Sequence, residues 1–105
     1  MTALINVPPH ARRGDVIEIK TLIAHPMESG YRVGLNGALI PRDIITLFVC
    51  TYNDEEIFRA EFSPAIAANP FINFTTVATE SGTIAFHWSG DNGFAASASA
   101  AIMVE

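Results

Sequence analysis

The residues with the greatest chemical reach are Cys50 and the histidines His10, His25 and His87, one cysteine and three histidines among 105 residues. A Ser-His-Asp or Cys-His hydrolase needs a nucleophile held beside a base, and the sequence settings of these four do not assemble one. His10 lies in a proline-rich N-terminal segment, and His87 sits mid-strand on the side opposite Trp88; both read as surface histidines. His25 opens the cluster His25-Pro26-Met27-Glu28 at the end of an apolar run, where a turn built on Pro26 accounts for it. Cys50 stands inside an apolar strand and reads as a small buried hydrophobe. With a single cysteine, no internal disulfide can form.

Metal sites fail on arithmetic. An iron site of the superoxide-reductase type takes four histidines and a cysteine, one histidine more than the chain has. A blue-copper site needs two histidines and a cysteine, with the cysteine and one histidine close together in a loop, whereas Cys50 runs on into Thr51-Tyr52 within a strand. One cysteine and scattered histidines make no structural zinc site, and no cofactor is implied. Gly82 and Gly93 belong to no phosphate-cradling glycine pattern. Arg13-Gly14-Asp15 and Asn73-Phe74-Thr75 spell an integrin tripeptide and a glycosylation sequon, but triplets this short recur by chance, and Asn73 falls within an expected strand.

The elements that must position these residues follow from period-two patterning. Ile17 and Ile19 alternate with Glu18 and Lys20, and Ile84, Phe86 and Trp88 alternate with Thr83, Ala85 and His87. Turn signals recur about every ten residues, the spacing of an all-β chain. The expected strands are Leu4 to Val7, Val16 to Ile23, Ile44 to Tyr52, Ile57 to Phe62, Phe71 to Ala78, Thr83 to Ser89 and Phe94 to Val104. Seven short strands point to an immunoglobulin-like antiparallel β-sandwich, all-β, formed as a single domain over residues 1–105. Asn53-Asp54, Glu80-Ser81-Gly82 and Gly90-Asp91-Asn92-Gly93 read as three hairpin turns. The stretch from His25 to Pro41 reads as a long irregular loop across one end of the sandwich, and Ser63 to Pro70 as a crossover between sheets.

Strand Ile44 to Tyr52 is apolar on both sides: strict alternation puts Ile45, Leu47 and Val49 on one face and Phe48, Cys50 and Tyr52 on the other. A two-layer sandwich buries only one of those faces, so the other is a candidate partner surface. Ala95 to Ala101 holds only alanine and serine, which permits close approach by another backbone or makes a flat edge strand.

Composition bounds the partners. The net charge is −5, with 6 basic and 11 acidic residues, and Lys20 is the only lysine. Nucleic-acid and anionic-membrane binding both draw on clustered basic residues, so neither is expected. No apolar run approaches the ~20 residues of a membrane span, and the chain reads as soluble. The N-terminal Met1-Thr2-Ala3-Leu4-Ile5 shows no basic leader region, which on its own predicts a cytoplasmic location. Only 16% of residues are charged and the mean hydropathy is +0.30, against about 25% charged in ordinary domains, so part of the surface is expected to be covered.

The run Gly14 to Gly30, containing His25-Pro26-Met27-Glu28-Ser29-Gly30, with Ile40-Pro41, Thr51-Tyr52-Asn53, Ser63-Pro64, Ala68-Asn69-Pro70-Phe71, Glu80-Ser81-Gly82 and Trp88, resembles the SoxZ family. SoxZ proteins are the non-carrier subunits of SoxYZ sulfur-oxidation complexes. The resemblance implies a non-catalytic scaffold that binds a SoxY-like subunit, whose C-terminal Gly-Gly-Cys-Gly-Gly arm carries thiosulfate-derived sulfur between Sox enzymes. Cys50 does not inherit the carrier role. It also implies periplasmic residence by co-export with a signal-bearing partner, and transient contact with other Sox enzymes. Ile45, Leu47 and Val49 are the expected partner contacts, with Met27 and Glu28 flanking the arm or an enzyme-docking surface. The competing reading of the residues is a stand-alone sandwich that homodimerises through the same apolar face.

Overall fold

A computed structural model describes residues 3–105; Met1 and Thr2 of the N-terminal stretch read above lie outside it. All seven expected strands form. They are Ala3–Asn6 (β1), Val16–Ile23 (β3), Ile45–Tyr52 (β4), Glu55–Glu61 (β5), Phe71–Val77 (β6), Gly82–Gly90 (β7) and Ala95–Val104 (β8). An eighth, His10–Ala11 (β2), is a two-residue strand pairing parallel with the end of β8. One sheet runs β1-β3-β6, and the other runs β2-β8-β7-β4-β5.

The core follows from the alternation. Ile17, Ile19, Thr21 and Ile23 of β3 point inward while Val16, Glu18, Lys20 and Leu22 point out. Phe48, Cys50 and Tyr52 of β4 and Ile84, Phe86 and Trp88 of β7 face them from the second sheet. Phe48 is the hub of this layer: its ring lies 5.2 Å from Trp88, 6.2 Å from Phe86, 6.0 Å from Phe58 and 6.4 Å from Phe74 of the opposite sheet. Phe58 and Phe74 stack across the sandwich at 4.3 Å, so aromatic contacts tie the two layers together.

The turns divide the readings. Asn53 and Asp54 both adopt positive φ, 49° and 68°, so a two-residue hairpin lets pairing resume at once with Tyr52 opposite Glu55. Strand β5 therefore starts two residues before the expected Ile57. The segment Glu80-Ser81-Gly82 is not a hairpin, because β6 and β7 belong to different sheets. It is an inter-sheet corner pinned by the Tyr52 hydroxyl, which donates to the Glu80 carbonyl and accepts the Thr79 and Glu80 N–H groups at 3.3 Å each. Arg13-Gly14-Asp15 builds a turn, with Gly14 at φ 90° and the Arg12 N–H on the Asp15 carboxylate at 2.9 Å.

Candidate partner-binding surface

Strand β4 departs from the alternation expected of it. The register shifts between Ile45 and Leu47, where Ile45 faces Gly90, Leu47 faces Ser89 and Thr46 is the extra residue. This bulge breaks strict alternation. Ile45 turns into the core and is fully buried beside Ile44, while Leu47 and Val49 stay half-buried on the outer face. The bulge needs Gly90, since a Cβ there would overlap the Ile44 carbonyl. Ile45 thus belongs to the interior, and the outward pair is Leu47 and Val49.

Around that pair the register builds a shallow surface. Leu47 lies between Glu61 of β5 and Ser89 of β7, and Val49 between Arg59 and His87. Ser89 and His87 pair in turn with Ala95 and Ser97 of β8. A depression of about 390 Å³, lined by His87, Ser89, Ala95 and Ser97, opens beside them. Small side chains on β7 and β8 next to two aliphatic ones on β4 leave space that another chain's side chains can fill. Strand β8 is an edge over most of its length, because β2 pairs only with Met103 and Val104.

The stretch from His25 to Pro41 is irregular as expected, with only isolated bridges and no strand or helix, and specific contacts fix its first residues. His25 is buried; its Nδ1 accepts the Met27 N–H at 2.9 Å, its Nε2 faces Asp43 Oδ1 at 3.8 Å, and its ring meets Phe94 edge-on at 4.8 Å. The histidine is a structural pin, as the turn reading supposed, with Asn69 adding reciprocal hydrogen bonds to its backbone at 2.9 and 2.8 Å. Met27, at φ 49°, is buried, and its sulfur accepts the Ile45 N–H at 3.3 Å. A buried side chain cannot flank a partner directly, so Met27 acts by anchoring the loop. Glu28 and Asp43 exchange backbone hydrogen bonds of 2.8 Å, closing the base of a projection.

Two ion pairs brace that base. Arg32 holds Glu28 at 2.6 Å, and this hydrogen bond lowers the Glu28 pKa. Arg42 grips both oxygens of Asp91 at 2.8 Å and lowers its pKa in the same way, while Asp91 also accepts the Ile44 N–H. Beyond the base, Val33 and Leu39 pair across a tight tip in which the Gly34 N–H bonds to the Ala38 carbonyl and the Gly37 N–H to that of Gly34. The result is an arm, residues 31–41, whose Tyr31, Val33, Leu35 and Leu39 all face solvent. Sequence reasoning passed over these four. Asn36-Gly37, flanked by Val33-x-Leu35 and Leu39, was the available hairpin signal.

His10 and His87 are exposed, and Cys50 is fully buried, its thiol pushed up to about 12 by burial alone. Among the described residues no group of three or more His, Cys, Asp and Glu could hold a metal ion.

Comparison with known proteins places the chain. The family described as sulphur oxidation protein SoxZ matches residues 5–101. No curated protein sequence matches. Among solved structures, a superoxide reductase (neelaredoxin) from Ignicoccus hospitalis is similar at 18% identity and TM-score 0.78, covering 100% of this chain and 81% of that one. The sulfur carrier protein SoxY from Chlorobium limicola f thiosulfatophilum is similar at 11% identity and TM-score 0.69, covering 100% of this chain and 80% of that one. The PKD domain of an M14-like peptidase from a Thermoplasmatales archaeon is similar at 11% identity and TM-score 0.59, covering 98% and 92%. At these identities the shared property is the immunoglobulin-like fold.

Proposed function

The chain belongs to the SoxZ family, and from that premise we propose that it is the non-catalytic scaffold of a two-chain sulfur carrier. It pairs with a SoxY-type subunit whose terminal cysteine holds the thiosulfate-derived sulfur, and it works in the periplasm after co-export with that partner. The family match over residues 5–101 carries this reading. The site chemistry supports it: the only cysteine is sealed in the core, where no substrate thiol chemistry is accessible. The fold likeness to a SoxY sandwich supports a partner built on the same architecture.

A scaffold of this kind must hold one partner for long periods while the sulfur-bearing segment of that partner visits several enzymes. Stable pairing of that kind rests on a well-packed apolar interface, and Leu47 and Val49 with the adjoining small-residue surface provide one part of it. An aspartate at Leu47 would place a carboxylate on this face beside Glu61. In Leu47→Asp, affinity for a co-expressed SoxY-type subunit is expected to fall at least tenfold, measured by titration of the purified chains. The melting temperature of the free chain serves as the control, and His10→Ala should leave affinity unchanged. Full affinity in a folded Leu47→Asp variant removes this face from the interface. Failure of the unaltered chain to pair removes the scaffold reading altogether.

A further inference from the structure

The arm has no counterpart surface on its own chain. Leu35 at its tip is wholly exposed, and Tyr31, Leu39 and Val33 are 79, 63 and 59% exposed. Four large apolar side chains on eleven residues are far more than scattered surface hydrophobics. The projection also shows in the shape of the molecule. Its principal extents are 59 × 22 × 20 Å. Its radius of gyration is 16.2 Å, where about 13 Å is usual for this length. The accessible surface of 6380 Å² exceeds by roughly 650 Å² what a compact chain of this mass exposes.

The exposed apolar side chains of the arm decide what kind of partner fits. A stable complex buries about 800 Å² on each side, whereas transient encounters bury less. An arm presenting four exposed large apolar side chains matches the more apolar interface of a permanent partner better than that of a visiting enzyme. The arm is also uncharged in effect, because Arg32 is its single charge and is held by Glu28. Within a chain of net charge −5, the neutral element suits an apolar groove. A second copy would bring the like-charged bodies together. Finally, the base is fixed by the Glu28 and Asp43 backbone pair, the Arg42 and Asp91 ion pair and the buried Met27, so little order has to be acquired on binding.

Resting on the scaffold reading above, we propose that residues 31–41 form a preformed arm that clasps the SoxY-type subunit, with Leu35 and Leu39 seated in an apolar groove of that subunit. The test is titration of the purified chain against its SoxY-type subunit, comparing the unaltered chain with the double variant Leu35→Asp/Leu39→Asp. Both side chains are solvent-exposed, so the free variant should melt at the same temperature as the parent. A shortened arm, with residues 34–38 replaced by Asn-Gly, provides a second variant without new charge. At least 100-fold weaker binding is expected for the double variant and at least tenfold for the short arm. Unchanged affinity in both variants, with the parent pairing normally, overturns the clasp and leaves the scaffold reading standing. A parent that does not bind the subunit overturns both, and a parent homodimer that the double variant dissociates assigns the arm to a second copy instead.

Discussion

Phe48→Ala should destabilise the chain by about 3–5 kcal/mol, the usual range for emptying a fully buried phenylalanine site. Phe48 is the one ring in contact with aromatic side chains of β5, β6 and β7 together, so its removal opens a space between the sheets rather than at a rim. A domain of this size holds only about 5–15 kcal/mol of total stability, and the variant is expected to be substantially unfolded near 37 °C. Trp88 is the only tryptophan and lies 5.2 Å from Phe48, so its fluorescence reports the transition in urea. Phe71→Ala is the matched control, because Phe71 is more than half exposed and should cost little. A loss below about 1.5 kcal/mol at Phe48 would show that the two sheets are not held together through this ring, well under the cavity range.

Cys50 should resist alkylation in the folded chain by about a thousandfold relative to an ordinary thiol. Burial raises its pKa from 9.0 to about 12, and three units remove a factor of about 10³ in thiolate, the reactive form. Zero exposure adds a steric barrier. Iodoacetamide labelling at pH 8, followed by mass, should therefore report only the rate of unfolding, and labelling should become fast in urea. The raised pKa also fixes the sign of a pH effect. A thiol disfavoured as thiolate in the fold withdraws stability as pH rises above the unfolded value of 9.0, and leaves it untouched below. Rapid labelling without denaturant would place the thiol within reach of sulfur chemistry and reopen a carrier role for this chain.

Much of the fold was legible because β3 and β7 obey strict alternation, and with one face buried the register leaves no choice. The places where the reading failed have one cause, the assumption that local pattern continues unbroken. At β4 an inserted Thr46 reverses the facing of everything before it, and no residue type announces that, so Ile45 was placed outward. At Glu80-Ser81-Gly82 the turn residues are those of a hairpin, but a tyrosine from β4 fixes the segment as a corner between sheets. Which sheet each flanking strand joins is a long-range fact that local chemistry does not encode.

The candidate surface was half legible. Leu47 and Val49 stand out as apolar residues without a core to enter, and both remain on the outer face. The arm stayed hidden because its two limbs are only a few residues long and Gly34 interrupts their alternation. Met27 and Glu28 stand out in the sequence for their place in the chain, which says nothing of their contacts. Their contribution is mechanical, one inserted into the core and the other closing the base of the arm through its backbone.

The scaffold account is tested most directly by native mass spectrometry of the chain co-expressed with its SoxY-type subunit, purified under non-reducing conditions after thiosulfate feeding. The account predicts a 1:1 complex in which sulfur-bearing mass increments reside on the partner's cysteine and none on Cys50. A homodimer of this chain, or an increment on Cys50, would contradict it.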